Sequence, residues 1–400
     1  MTLGPDSVVT ASHLVVTKED DDEYVVGDPG TGVFFSVPGV GARLVELFAE
    51  GRTVAQAEEV LLRETGEEID ALDFAADLIA AGVVPELDGL PAPERRERRV
   101  WVVSRVPARL LRPFFGPVAW TLYGLSYVAS IAIFVAQPGL VPTYEDVFFT
   151  TNIPLCLIVA VLGSTLLAFL HEIWHAFAGA AMGITSRFRI GLRAYFPVFE
   201  TDLTGIWSVP PRRRYGAFLS GMAIDGVLLL AALLPRYAWS QGWLDPSPLL
   251  MRLLAYVVLV QVIKTIYQGL AFLRTDLYFV LLTATGTRNL HQVTKLGLKR
   301  MVRSLSPAEA AVLAGAHPRD LRVARWYRWL YVAGALWLAW FAFYYLWPSV
   351  KVIGGWALTA LTQAPPASVG WWEAVVITLL AMFDLLLPVY VLVRDRRARR

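Results

Sequence analysis

Residues 152–182 read NIPLCLIVAVLGSTLLAFLHEIWHAFAGAAM, and this stretch decides the fold class of the chain. It contains no Asp, Lys or Arg and is longer than the roughly 20 residues that a membrane-spanning helix needs. Three ionisable side chains, His171, Glu172 and His175, nevertheless fall near its end. A charged side chain costs about 2.5–3.5 kcal/mol at the centre of a spanning helix, so this cluster indicates a functional site at membrane depth.

The spacing of His171 and His175 is suited to metal binding. Residues four apart lie on the same face of a helix, so the two imidazoles can share one metal ion. Glu172 lies beside them, where a carboxylate can take a proton from a water molecule. His-Glu-x-x-His on a helix is the pattern of zinc peptidases. The alternative, two solvated histidines on a helix surface, conflicts with the apolar surroundings.

The composition of the whole chain also indicates a membrane protein. Of its 400 residues, 56% are hydrophobic and 18% are charged, whereas soluble domains carry about 25% charged residues. Cys156 is the one cysteine, which excludes an internal disulfide and a cysteine-rich zinc ribbon. The N-terminal residues have no basic start and no long apolar core, so we expect no cleavable signal peptide and a cytoplasmic N-terminus.

Long apolar runs predict a multi-pass helical membrane domain. The predicted spans cover residues 115–137, 152–182, 215–235, 248–282, 327–347 and 372–393. The second and fourth exceed the length of a span, which predicts that each tilts, breaks or extends beyond the membrane. Basic residues concentrate on one side of this topology, within residues 187–214, 288–328 and 394–400. By the positive-inside rule both termini are cytoplasmic, and the histidine motif lies towards the cytoplasmic end of its helix.

The composition divides the chain into three parts. Residues 1–92 have the charge and turn residues of a soluble domain, residues 93–114 form an arginine-rich linker, and residues 115–400 contain the spans. We therefore expect a multi-pass α-helical membrane protein with a small N-terminal α+β domain of the winged-helix type.

Local patterns predict the elements of the N-terminal domain. A Pro-Gly turn separates two runs with strand character, and capping residues precede segments with helical periodicity. The predicted elements are two strands within residues 24–35, helices over residues 41–49, from Thr53 and from about Asp70 to Gly82, and a last strand at Val83–Val84.

The sequences GTGVFFSV, LVELFAEGRTVAQAEEVL and DFAADLIAAGVV occur in this order and resemble the PqqD-like peptide-recognition domains of peptide-natural-product pathways. The resemblance covers most of residues 12–88 and implies that a leader peptide adds as a strand at a sheet edge. The alternatives are a DNA-binding winged helix and a purely structural domain. Eight acidic residues between Glu58 and Asp77 stand against Arg63 alone, so we expect no nucleic-acid partner.

A catalytic zinc site needs a third protein ligand and an open position. The candidates are carboxylates of the membrane domain: Asp225, Asp276, Glu200 and Asp202. Asp276 is best placed, because its predicted span runs in the same direction as the histidine span and Asp276 lies late in it. The alternative for Asp276 is a helix cap or an ion pair with Arg274.

Residues 187–210 are too polar and too rich in Gly and Pro to cross a membrane. Their partial alternation favours strands that line a cavity, because non-helical backbone at membrane depth is tolerated where protein or a cavity surrounds it. The alternative is a surface hairpin anchored by Trp207.

The order of these motifs resembles site-2 protease-type membrane zinc metalloproteases, and most closely their peptide zinc metalloprotease branch. The resemblance covers residues 150–290: the histidine motif, FPVFETDL, SGMAIDGVLLL and RTDLYFVL. It implies that His171, His175 and Asp276 bind Zn²⁺ and that Glu172 activates water. It also implies a strand-like segment that presents the substrate in extended form.

Two positions depart from the pattern of that family. Gly221-Met222-Ala223-Ile224-Asp225 stands where many members have Gly-Pro-x-x-Asn, so Asp225 is expected either to hold substrate or to compete as a ligand. Asp202 is a second candidate for substrate binding. Asp276 lacks the Asn-Pro-x-Asp-Gly surroundings of many members, which leaves the third ligand open between Asp276 and Asp225.

The two resemblances together predict a membrane protease that matures a ribosomally made precursor peptide. Its leader would dock on the N-terminal domain, and peptide-modifying enzymes or an exporter would be partners beside the lipid bilayer. One alternative is an intramembrane protease of a membrane-anchored regulator. Another is a non-catalytic peptide-docking adaptor or exporter component, against which Glu172 argues, since binding alone needs no base beside a metal.

Overall fold

The computed structural model describes residues 3–20, 22–66, 68–84, 86–87, 90–91, 101–102, 106–184, 186–193 and 196–398. Most of the predicted linker, residues 93–105, lies outside this part of the chain apart from Trp101 and Val102. The described chain is mostly helical, with a small sheet near its N-terminus.

The N-terminal domain packs three helices against an antiparallel sheet of order β1-β2-β3. Its elements are β1 (Val15–Asp20), β2 (Glu23–Asp28), β3 (Val33–Pro38), α1 (Gly39–Ala49), α2 (Val54–Thr65) and α3 (Ala71–Ala80), and two short strands, β4 (Glu86–Leu87) and β5 (Leu90–Pro91), pair after them. Leu44, Leu47, Phe48, Leu61 and Leu78 are at most 1% exposed. Burial of each such side chain contributes about 1.5–3 kcal/mol, so this core holds the domain together.

Turn and capping residues determine where these elements begin and end. The Asp28 carboxylate accepts hydrogen bonds from the backbone of Gly30 and Thr31, which closes the predicted turn between β2 and β3. Thr53 and Gln56 form the predicted capping box at the start of α2, and both of its hydrogen bonds are present. These local predictions are confirmed because each depends on neighbours within three residues.

Two elements of this domain differ from the prediction. Strand β1 was not predicted, because its short run ends in Lys18, Glu19 and Asp20. Val83 and Val84 were predicted as a strand but form an irregular segment, each 1% exposed. They fill the core from a loop, and the carbonyl of Val83 is hydrogen-bonded by the His13 ring at 2.7 Å.

Arg43 joins helices α1 and α2 at the surface of the domain. Its guanidinium donates two hydrogen bonds to the Glu64 carboxylate, at 2.9 and 2.8 Å. These hydrogen bonds lower the pKa of Glu64 below its usual value. The pair therefore favours the packing of the two helices at neutral pH.

Five helices in the described part of the chain are long and apolar enough to cross a membrane. They are α5 (Pro117–Ala136), α6 (Ile153–Ala181), α7 (Pro211–Ser240), α8 (Pro248–Gln268) and the continuous helix Pro318–Gln363, which consists of α12 (Pro318–Phe341), a π-helical turn (Ala342–Leu346) and α13 (Trp347–Gln363). A helix of 46 residues is about 70 Å long, so one crossing of a ~30 Å hydrocarbon core uses only part of it. The membrane class of the fold is thereby confirmed.

The fourth predicted span is broken, which is one of the three outcomes expected from its excess length, and the sixth falls partly outside the described side chains. The fourth breaks: α8 ends at Gln268, and α9 (Asp276–Thr285) begins after an irregular connection. The sixth lies in α14 (Val369–Ala398), whose apolar portion among the described side chains, Val369–Met382, is shorter than a span. The sixth span therefore stays a prediction.

The remaining elements are α4 (Ala108–Leu111), β6 (Trp101–Val102), β7 (Arg187–Arg193), β8 (Phe196–Asp202), α10 (Leu290–Val302) and α11 (Pro307–Ala314). Of these, α4, β7 and β8 contact α6, while α10 contacts α11 and α12. Strands pair in the order β6-β7-β8, which confirms the strands predicted within residues 187–210. Helix α7 packs against α5, α6, α8 and α9 and is the centre of the membrane domain.

Candidate metal centre

His171 and His175 lie on the buried face of α6, 5% and 4% exposed respectively. Helix α7 approaches this face through Gly221. A Cβ atom on Gly221 would lie 2.5 Å from Nε2 of both histidines, so only glycine allows this approach. The two spans therefore meet at the metal-binding motif itself.

Asp276 completes a group that could hold a metal ion. Its Oδ2 lies 3.0 Å from Nε2 of His171 and 3.2 Å from Nε2 of His175, and the two Nε2 atoms are 3.3 Å apart. Tetrahedral coordination with bonds of about 2.0–2.1 Å separates ligand atoms by about 3.3 Å. The triangle thus has the size that a small tetrahedral ion requires. We call these three residues the ligand triad.

The partners of the other ring nitrogens are consistent with a triad that could hold a cation. Nδ1 of His175 lies 2.8 Å from the carbonyl of Ala217, and Nδ1 of His171 lies 2.7 Å from Oδ2 of Asp225. A carbonyl only accepts hydrogen bonds, so the His175 Nδ1 carries the proton and its Nε2 offers a lone pair. Lone pairs from two imidazoles and a carboxylate then converge, an arrangement that a metal ion stabilises.

Asp276 reaches the triad because the fourth predicted span is broken. Arg274 adopts a left-handed backbone conformation (φ 61°, ψ 44°), and Asp276 is the first residue of α9 rather than a late residue of one long span. The Gln268 side-chain oxygen accepts a hydrogen bond from the Asp276 backbone amide at 3.0 Å, and the Gln268 backbone carbonyl accepts one from the Thr275 hydroxyl at 2.7 Å. These contacts attach the start of α9 to the end of α8.

Asp225 lies on the opposite side of the His171 ring from Asp276. Its second oxygen, Oδ1, accepts a hydrogen bond from Lys264 Nζ at 2.6 Å, and the residue is 1% exposed. Asp225 therefore contacts Nδ1 of His171, whereas Nε2 of the same ring faces the other two residues of the triad. Contact of Asp225 with a substrate stays a prediction.

Glu172 lines a cavity of about 320 Å³ together with two members of the triad, His175 and Asp276. The backbone amide of Thr201, in β8, donates a hydrogen bond to Oε2 of Glu172 at 3.1 Å. The Thr201 hydroxyl donates a second one to the Glu172 carbonyl at 2.7 Å. Strand β8 is thereby attached to α6 at the acidic residue of the motif. We call the cavity that Glu172, His175 and Asp276 line the site cavity.

The two other acidic candidates lie on β8. Asp202 lines the site cavity, and its Oδ1 accepts hydrogen bonds from the backbone and the hydroxyl of Thr204. It thus ends the strand and starts the short 3₁₀ turn that follows, while its role towards a substrate stays a prediction. Glu200 is in the strand, but its side chain lies outside the described residues.

Three polar residues around the triad were not predicted: Ser220, Lys264 and Gln268. Ser220 lies 3.0 Å from Nδ1 of His175, while Lys264 and Gln268 contact Asp225 and Asp276. Lys264 had a signal in the sequence, since an ionisable residue within an apolar span is a functional candidate by default. Ser220 and Gln268 had none, because serine and glutamine are common in spans and at helix ends.

Comparison of the chain with protein-family models, with curated proteins and with solved structures found no match. The resemblances to PqqD-like domains and to site-2 proteases are not tested by this outcome and stay predictions. Function is therefore inferred from the geometry and chemistry of the site itself.

Proposed function

We propose that the protein is a membrane-embedded zinc metallopeptidase. The observation that carries this proposal is the ligand triad, three buried donor atoms 3.0–3.3 Å apart, with Glu172 on the wall of the same cavity. Two imidazoles and one carboxylate form a donor set that catalytic zinc sites use, with a further position left for water or substrate.

The triad fits zinc better than calcium or magnesium. Those hard ions prefer oxygen ligands, and calcium takes six to eight of them at about 2.3–2.6 Å. His171, His175 and Asp276 would hold the zinc ion through Nε2, Nε2 and Oδ2. When bound there, zinc polarises the scissile carbonyl and lowers the pKa of water to about 7.

Glu172 would act as the general base and then the general acid. Its carboxylate would take a proton from water as the water oxygen bonds to the scissile carbonyl carbon, and would give that proton to the leaving amine as the C–N bond breaks. The hydrogen bond from Thr201 holds this carboxylate at the wall of the site cavity. A pure docking protein would need no such group beside a metal site.

The substrate would bind as an extended peptide along β8. This strand is at the edge of the β6-β7-β8 sheet and contacts α6 beside the motif. An edge strand offers unpaired backbone groups that a peptide can pair with. Asp202, at the end of β8, then lies within reach of the bound chain.

A ribosomally made precursor peptide is the substrate that best suits the two-domain arrangement. The sheet of the N-terminal domain contacts the 3₁₀ turn Thr204–Ser208, which directly follows β8. A leader held near Tyr24–Phe35 would therefore lie close to the entry of the site cavity. Proteolysis of a membrane-anchored regulator would use the same metal centre and differs in its substrate alone.

The substitution Glu172→Gln tests the proposal. It should leave zinc binding intact and lower cleavage by about 10²–10⁴-fold, the range expected for loss of a general base. The measurement is mass-spectrometric detection of products from a peptide library that the purified wild-type protein cleaves, together with metal analysis. Glu145→Gln, an exposed carboxylate outside the site, is the matched control. Full cleavage by the Glu172→Gln protein would refute the enzyme proposal.

A further inference from the structure

Lys264 is a basic residue within the apolar helix α8, where a charged group is costly unless it has a partner. Its Nζ donates hydrogen bonds to Oδ1 of Asp225 at 2.6 Å and to the carbonyl of Leu167 at 2.9 Å. Its side chain is 19% exposed. Lys264 therefore points into the protein, where its charge is matched by that of Asp225.

Asp225 connects this lysine to the metal centre. One of its oxygens accepts from Lys264 and the other lies 2.7 Å from Nδ1 of His171. The chain Lys264–Asp225–His171 thus joins α8, α7 and α6 through both oxygens of one buried carboxylate. A carboxylate on the second nitrogen of a metal-binding imidazole fixes its tautomer and increases its basicity.

The two histidines of the triad differ in this respect. His175 has neutral partners at Nδ1, the Ala217 carbonyl and the Ser220 hydroxyl, whereas His171 has a charged one. Charge-assisted hydrogen bonds are about twice as strong as neutral ones. His171 is therefore the ligand whose orientation and donor strength depend on a buried charged group.

We propose that Lys264 and Asp225 form a positioning pair that holds His171 with Nδ1 protonated and Nε2 directed to the metal. The proposal rests on the metal centre of the proposed function. The hydrogen bond from Lys264 to Oδ1 holds the Asp225 carboxylate in place, so that Oδ2 remains at Nδ1 of His171 and Asp225 does not become a competing ligand. Two carboxylates and one ammonium group around His171 also leave a negative balance that a divalent cation offsets.

Metal binding by full-length variants in detergent tests the pair. The variants are Lys264→Met, Asp225→Asn and the double substitution, and the probes are Zn²⁺, in competition with a chelator, and Co²⁺, by its visible absorption. Each single variant should raise the zinc Kd about 10–100-fold and change the Co²⁺ spectrum. The loss of zinc-binding free energy in the double variant should be smaller than the sum of the losses in the two single variants, because neither charge is left without its partner. Lys351→Met, at an exposed lysine of α13, should change neither readout.

Lys264→Arg keeps the charge and should retain most of the zinc affinity that Lys264→Met loses. A zinc Kd and a Co²⁺ spectrum that are unchanged in Lys264→Met would overturn the proposal. If the wild-type protein binds neither metal, the proposed function fails, and the pair is judged separately by ¹⁵N NMR of labelled histidine in the metal-free protein. There the His171 signals should report a protonated Nδ1 in the wild type and lose that signature in Asp225→Asn, and an unchanged signature would refute the pair.

Discussion

Gly221 is the residue that allows α7 to pass directly beside the two histidines. Any side chain there would occupy the space next to their Nε2 atoms, at 2.5 Å. The sequence showed a Gly-x-x-x-Asp pattern but could not show that its glycine faces the motif, since that depends on how two spans pack.

Gly221→Ala should therefore abolish metal binding or raise the zinc Kd at least about 100-fold, because the added methyl group displaces both imidazoles. Gly216→Ala in the same helix is the control, since its Cβ would meet Trp120 at an ordinary distance of 3.6 Å. That variant should bind zinc like the wild type and gain up to about 1 kcal/mol of helix propensity. Equal zinc affinity for the two variants, measured by chelator competition, would contradict the geometry of the site.

Asp225 and Asp276 illustrate what residue spacing can and cannot predict. Both were candidates for the third ligand, because both are acidic residues of later spans. The structure places Asp276 at Nε2 of His171 and Asp225 at Nδ1 of the same ring. The two nitrogens are only about 2 Å apart, so helix packing, and not sequence, decides which acid can share the metal.

At the scale of elements, the break between α8 and α9 places the third ligand. A continuous helix would carry Asp276 past the histidines, whereas the turn at Arg274 starts α9 beside them. The excess length of the fourth span predicted a tilt, a break or an extension. Its place could not be predicted, because Arg274 is not a residue that typically adopts a left-handed conformation.

Gln268→Leu should release the start of α9, since the Gln268 side chain accepts the hydrogen bond of the Asp276 amide. We expect a rise in the zinc Kd of at least about tenfold. Gln261→Leu, about two turns earlier in α8, is the matched control. Both polar atoms of Gln261 are buried without a hydrogen-bond partner among the described residues, so this change should leave zinc binding intact and stability unchanged or higher by about 1–3 kcal/mol. Zinc titration of both variants measures the change in zinc Kd, and thermal unfolding of both measures the change in stability.

At the scale of the whole molecule, ion pairs attach the N-terminal domain to the membrane domain. Glu19, Asp20 and Glu23 of the β1–β2 hairpin pair with Arg214, Arg319 and Arg288. The Glu19–Arg214 pair has two parallel hydrogen bonds of 2.8 and 2.7 Å, and Arg214 is fully buried. This attachment places the proposed leader-binding sheet beside the proposed active site.

Glu19→Gln should weaken this attachment, because it leaves the buried guanidinium of Arg214 without a charged partner. Breaking a fully buried pair costs about 3–5 kcal/mol, and the 20% exposure of the Glu19 side chain lowers the expected cost to about 2–3 kcal/mol. Asp20→Asn is the control, because its pair with Arg319 is exposed and worth at most about 1 kcal/mol.

The measurements for this prediction are limited proteolysis of the N-terminal domain and the ratio of cleavage of a leader-bearing precursor to that of a leaderless peptide. Glu19→Gln should increase proteolysis and lower the ratio, with cleavage of the leaderless peptide unchanged. An unchanged ratio in a protein whose N-terminal domain has become protease-sensitive would argue against leader guidance while leaving the metallopeptidase proposal intact.

The sequence by itself determined the membrane class, the helix that carries His171, Glu172 and His175, and the local turns and caps of the N-terminal domain. Each of these depends on composition or on residues within one or two helical turns. The tertiary structure alone decided that Asp276 joins the histidines, that Lys264 and Asp225 lie behind His171, and that acidic β-hairpin residues meet arginines of the membrane domain. Those contacts join residues far apart in the chain, and their distances follow from how helices pack and where one of them breaks.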